Sequence, residues 1–127
     1  MRWVVDTSVL IDHLRGDLRA VRVLTEAATE GHELLSATVV RTEILAGMRR
    51  GEEIATRKLL DHLRWIDITT EVADRAGELA RRYLRSHPGV DTIDYLIAAA
   101  TESVGAELKT QNVKRFPMIA GLKPAYR

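Results

Sequence analysis

The sequence predicts a three-layer α/β/α sandwich around a mostly parallel sheet of four or five strands. Short apolar runs alternate with segments of helical periodicity, the pattern of strands joined by crossover helices. At 127 residues the chain has length for one good core, and no linker or low-complexity stretch divides it. Residues 1–127 are therefore read as a single domain.

Taken in order, Trp3-Val4-Val5 is an apolar, β-branched run ending at Asp6, a buried strand. From Thr7, Val9, Leu10 and Leu14 recur at helical spacing until Gly16. Asp17 can cap a second helix whose apolar face is Leu18, Val21, Leu24 and Ala28, closed by Gly31. Glu33–Ala37 is the next strand, and Thr38 a candidate cap for a helix with Val40, Ile44, Leu45 and Met48. Beyond Gly51, a helix with Ala55, Leu59, Leu60 and Leu63 on one face, and Ile54 beside it, leads into a short strand at Trp65–Ile68. Val72, Ala76, Leu79, Ala80 and Tyr83 mark the clearest helix, stopped by Pro88-Gly89. Asp91 or Thr92 caps a helix bearing Ile93, Leu96, Ile97 and Ala100, closed by Gly105. Glu107-Leu108-Lys109 is the last strong strand, and Met118-Ile119 an expected edge strand. Parallel neighbours need crossovers, which these helices supply.

Composition narrows the function. With 46% hydrophobic and 29% charged residues the chain is globular rather than disordered. The absence of cysteine excludes disulfides, thiolate metal sites and cysteine nucleophiles. Asp6 and Asp12 interrupt the apolar start, which is therefore not a signal peptide, and no run approaches the roughly 20 apolar residues of a membrane span. The expectation is a soluble, cytosolic protein. Net charge is only +1, so any nucleic-acid contact rests on local charge such as Lys114, Arg115, Lys123 and Arg127.

Three acids stand out by position. Asp6 directly follows the first strand, and ligand sites of open α/β sheets gather beyond the carboxyl ends of strands. Asp94 lies in the first turn of its helix, where the dipole favours a carboxylate. Glu43 sits a little over one turn beyond Thr38. All three are expected at one end of the sheet. Carboxylates sharing a cleft raise one another's pKa unless a cation joins them, and oxygen ligands suit Mg²⁺ or Mn²⁺. The four histidines lack zinc-ligand spacing. A carboxylate-bound Mg²⁺ suits phosphoryl chemistry. There is no Walker-type loop, and Ser8 stands where a paired Asp-x-Asp phosphatase would have its second acid.

Four segments then carry a family resemblance. Val5-Asp6-Thr7-Ser8-Val9-Leu10-Ile11-Asp12, Thr38 to Gly47 with Glu43-Ile44-Leu45-Ala46-Gly47, Ile93-Asp94-Tyr95-Leu96-Ile97-Ala98-Ala99-Ala100 and Thr110-Gln111-Asn112-Val113-Lys114-Arg115-Phe116 resemble, in order, the motifs of PIN-domain proteins. Length and motif set most resemble the VapC toxins of toxin–antitoxin pairs. The resemblance implies a Mg²⁺- or Mn²⁺-dependent endoribonuclease acting on structured RNA of the tRNA or rRNA class and leaving a 3′-hydroxyl and a 5′-phosphate. It further implies a homodimer held inactive by a VapB-type antitoxin in a higher assembly. Asp6, Glu43 and Asp94 would be both catalytic residues and metal ligands. Where many PIN domains have a fourth acid this chain has Asn112, an oxygen donor without charge.

Around these, Thr7, Asn112 and Asp91 are candidates to orient ligands or substrate, and Lys114 and Arg115 to contact RNA phosphates. Asp91 fits a helix cap better than a ligand, Ser8 could donate to Asp6, and Asp12 is too far along its helix to share the site. The competing expectation is a catalytically silent PIN scaffold that binds RNA or a protein, and a DNA-directed nuclease is the third.

Overall fold

The computed structural model describes residues 1–127. Its first strand, β1 (Arg2–Val5), is central: Val4 and Val5 point to opposite faces, yet both are fully buried. The order continues α1 (Thr7–Leu14), α2 (Leu18–Thr29), β2 (Glu33–Ala37), α3 (Thr38–Ala46), α4 (Glu53–Asp61), β3 (Arg64–Ile66), α5 (Thr70–Tyr83), α6 (Thr92–Ser103) and β4 (Glu107–Lys109), then a 3₁₀ turn at Val113–Arg115. All pairings are parallel, in the order β3-β2-β1-β4, with Trp3 opposite Leu34 on one side and Glu107 on the other. The expected sandwich thus has a four-stranded, wholly parallel sheet flanked by six helices. No helix is long and apolar enough to cross a membrane.

This strand order creates a switch point. The chain runs outward from β1 through β2 to β3, then returns to place β4 on the other side of β1. Connections diverge between the carboxyl ends of β1 and β4, the crevice where such sheets hold ligands.

Five expectations shift. The buried face of α2 is Ala20, Leu24 and Ala27, while Leu18 is 74% exposed and Ala28 is exposed. Small alanines let α2 lie close to α1 and β2, its neighbours. In α4 the inward positions are Thr56, Leu59 and Leu60, continued by Leu63, so Ala55 and Ile54 face out. Thr38 is the first residue of α3 rather than its cap: β2 runs straight into the helix, and Ala37 occupies the cap position in extended conformation. Met118-Ile119 is a turn, not an edge strand. Pro117 has no N–H to donate, and the Ile119 N–H bonds locally to the Phe116 carbonyl at 3.1 Å. The Trp65 strand begins at Arg64 and stops at Ile66.

Candidate active site

Asp6 occupies the cap position of α1, but its carboxylate makes no bond to the helix backbone. Its N–H continues the ladder to the Lys109 carbonyl at 2.9 Å, pinning it between β1 and β4. The residue is 5% exposed. Its Oδ2 accepts hydrogen bonds from the hydroxyls of Thr110 at 2.7 Å and Ser8 at 3.1 Å. Each hydroxyl in turn accepts a backbone N–H: Asn112 to Thr110 at 3.0 Å, and Gln111 to Ser8 at 3.1 Å. A hydroxyl has one proton, so engaging its lone pair with an N–H leaves that proton for Asp6. Oδ2 is thereby held by two donors, while Oδ1 accepts no hydrogen bond from the protein.

Asp94 belongs to the first turn of α6, in a reciprocal capping box. Its N–H donates to Asp91 Oδ1 at 3.2 Å, and the Asp91 N–H donates to Asp94 Oδ2 at 3.1 Å. Asp91 is thus the helix cap, the role that fits it better than ligand. Asp94 is also 5% exposed, and burial pushes its carboxyl up to about 6. The bond from the Asp91 N–H and the charge of Arg115 oppose that rise, and the charges of Asp91 and Asp6 add to it. Asp6 and Asp94 are therefore close enough for their charges to act on each other. The Arg115 guanidinium lies 3.7 Å from Asp94 and 3.9 Å from Asp91, so its nearest charged partners here are acids.

Glu43 comes from α3 and is half-buried; its Oε1 accepts the Thr7 hydroxyl at 2.6 Å. Thr7 thus ties Glu43 to the residue next to Asp6. The three expected acids converge on one end of the sheet, but no three acidic or histidine side chains close around a single point. The donors present still fit a hard divalent cation. They are all oxygens, two of the three carboxylates are nearly buried, and burial together with the neighbouring acids raises the Asp94 carboxyl.

Other candidates fall around this recess. Asn112 is exposed at the start of the 3₁₀ turn, with Lys114 and Arg115 exposed on it. Asp12 lies apart and accepts the Tyr126 hydroxyl. A concavity of about 660 Å³ between α5, α6 and the outer edge of β4 is lined by none of the three acids. Sequence reasoning did not single out Thr110, which is fully buried. The available signal was its position: it follows β4 as Asp6 follows β1.

Thr110→Val keeps the shape but removes the hydroxyl that both Asp6 and the Asn112 N–H use. The expected cost is about 2 kcal/mol, read as a lower urea midpoint at unchanged slope. A variant as stable as the wild type would contradict this role.

Comparison with known proteins follows the same lines. Residues 3–121 match the family model of the PIN domain. Ribonuclease VapC19 of Mycobacterium tuberculosis is 42% identical over 123 residues, 97% of this chain and 98% of that protein. Ribonuclease VapC10 of the same organism is 42% identical over 124 residues, 97% of this chain and 92% of that protein. Among solved structures, a toxin–antitoxin complex from Klebsiella pneumoniae contains a similar chain, with TM-score 0.81, 25% identity and 98% coverage of both chains.

Proposed function

The chain belongs to the PIN-domain family, and from that premise we propose that it is the toxin of a VapBC-type toxin–antitoxin pair, a divalent-metal-dependent endoribonuclease of one domain acting in the cytoplasm on structured RNA of the tRNA or rRNA class. The observation that carries the reading is the pair of nearly buried carboxylates, Asp6 and Asp94, at the switch-point end of the sheet, near enough for the Asp6 charge to act on Asp94. The two ribonucleases at 42% identity over nearly the whole chain support RNA as the substrate. The likeness to a chain of a toxin–antitoxin complex supports a VapB-type antitoxin as partner, with a homodimer as the unit that binds it.

Asp6, Glu43 and Asp94 would hold Mg²⁺ or Mn²⁺. When bound, such a cation supplies Lewis acidity at a phosphate oxygen and a water of lowered pKa. The protein's own part is positional. Ser8 and Thr110 hold Oδ2 of Asp6 so that Oδ1 is the oxygen presented to the recess. Thr7 restrains Glu43, and the capping box restrains Asp94 while keeping it in the favourable field of the α6 N-terminus. Lys114 and Arg115, on the turn beside the acids, offer positive charge to the RNA backbone where the acidic recess would otherwise repel it. Asn112, on the same turn, orients substrate through its uncharged amide.

The test is induced expression in a host cell, wild type beside Asp94→Asn, with all new RNA 5′ ends sequenced. New ends with the wild type and none with the variant are expected. Identical profiles from two soluble, folded proteins would instead favour a scaffold that binds RNA or protein without cutting.

A further inference from the structure

The hydroxyl clamp on Asp6 depends on a turn that β4 does not itself secure. Thr110, Gln111 and Asn112 lie beyond the last ladder residue, Lys109, and the N–H groups of Gln111 and Asn112 must point at Ser8 and Thr110. Something must hold that turn still.

The side chain of Gln111 answers to this need. Its Oε1 accepts the Tyr126 N–H at 3.1 Å, and its Nε2 donates to the Tyr126 carbonyl at 3.0 Å. The amide thus pairs with both backbone groups of one residue, as a neighbouring strand would. One residue earlier, the Ala125 N–H donates to the Thr110 carbonyl at 3.0 Å. Tyr126 is itself anchored. It is 9% exposed, its hydroxyl donates to Asp12 of α1, and the Arg19 guanidinium of α2 lies 5.2 Å from its ring centre. Arg19 is in turn bonded to Asp17, the cap of α2. A continuous chain of contacts therefore runs from the first two helices through Tyr126 and Gln111 to the hydroxyls on Asp6.

We propose that Gln111, clasped by the backbone of Tyr126, is a positioning residue for the reaction: it holds the 110–112 turn so that Ser8 and Thr110 keep their protons on Asp6 Oδ2. Hydrogen bonds weaken steeply as their angles open, so a turn free to tilt would release both hydroxyls together. The effect on rate rests on the nuclease reading above; the effect on the turn does not.

Two variants separate positioning from mere stability. Gln111→Met, or Gln111→Ala with less to pack, removes both bonds to Tyr126 while leaving the Gln111 N–H in place. Tyr126→Phe loses only the bond to Asp12 and keeps the backbone clasp. The substrate is a labelled RNA oligonucleotide carrying a cleavage site mapped in the host-cell experiment. The Gln111 variant is expected to lose kcat by roughly tenfold with little change in KM, and to bind Mn²⁺ more weakly in calorimetry. Tyr126→Phe is expected to lower Tm yet keep kcat near wild type. In native-state exchange, the Gln111 and Asn112 amides should lose protection in the Gln111 variant and keep it in Tyr126→Phe.

A Gln111 variant with wild-type kcat would overturn the proposal. So would two variants whose kcat falls in step with their Tm. If the wild type cuts no RNA, the nuclease reading fails, and amide exchange alone then decides: unchanged protection in the Gln111 variant rejects the clasp, and lost protection upholds it.

Discussion

Asp6→Asn is expected to abolish RNA cleavage, by roughly 10³-fold or more, in a protein that folds as well as the wild type. The loss exceeds that of one negative charge because the clamp dictates how the new amide sits. The Ser8 and Thr110 hydroxyls both donate to the Oδ2 position, and each already accepts a backbone N–H, from Gln111 and Asn112 respectively. Keeping both donations favours the asparagine carbonyl oxygen on that side, since an NH₂ there would force both hydroxyl protons to turn elsewhere. The asparagine NH₂ then stands where Oδ1 was, a donor facing the one point that calls for an acceptor. Both clamp bonds survive, which is why stability should hardly change. The measurement pairs single-turnover cleavage in Mg²⁺ with thermal unfolding. Cleavage within tenfold of wild type would remove Asp6 from the chemistry, and a collapsed Tm would show the carboxylate to be structural instead.

Asp94→Asn is expected to stabilise the metal-free protein at neutral pH while abolishing its activity. The Asp94 carboxyl is held near 6, above its ordinary 3.8, first by burial. Below about 4 the folded and unfolded chains both bind this proton, and the site costs nothing. Between about 4 and 6 the folded chain binds more protons than the unfolded one, so stability falls as pH rises. Above 6 the full penalty remains. Asparagine can still accept the Asp91 N–H that closes the capping box, and it carries no charge to desolvate. The half-exposed Arg115, 3.7 Å away, loses a partner of small worth. In metal-free buffer the variant should unfold several degrees above wild type at pH 7.5 and show no advantage at pH 4. Saturating Mn²⁺ should reverse the order, since only the wild type gains binding free energy. A Tm difference constant across pH would mean that the Asp94 charge is already compensated in the fold.

Stability and function are opposed at this residue, as expected of a site that gathers like charges for a cation. The Asp91–Asp94 box shows how the fold tolerates it. The helix terminus that benefits from a carboxylate is the one that holds Asp94, so one hydrogen-bond pair both caps α6 and restrains the acid.

What the sequence by itself determined is local. Alternating strand and helix patterns, the residues opening each motif, and three acids expected at one end of the sheet were all readable, because periodicity and capping act over about four residues. That reach also explains why Asp91 was legible as a cap. Where buried positions depended on a neighbour, reading slipped by a residue or two: α2 buries Ala20 rather than Leu18, and α4 buries Thr56 rather than Ala55. Amphipathic patterns name a helix more securely than its exact inward angle. Only tertiary structure decided that β4 lies beside β1, and the hydroxyl clamp on Asp6 follows from that adjacency. It brings Thr110 onto Asp6 across 104 positions and sets the Gln111 N–H on Ser8 across 103. Contacts of that span are fixed by strand order and packing, and no short-range pattern in the chain encodes them.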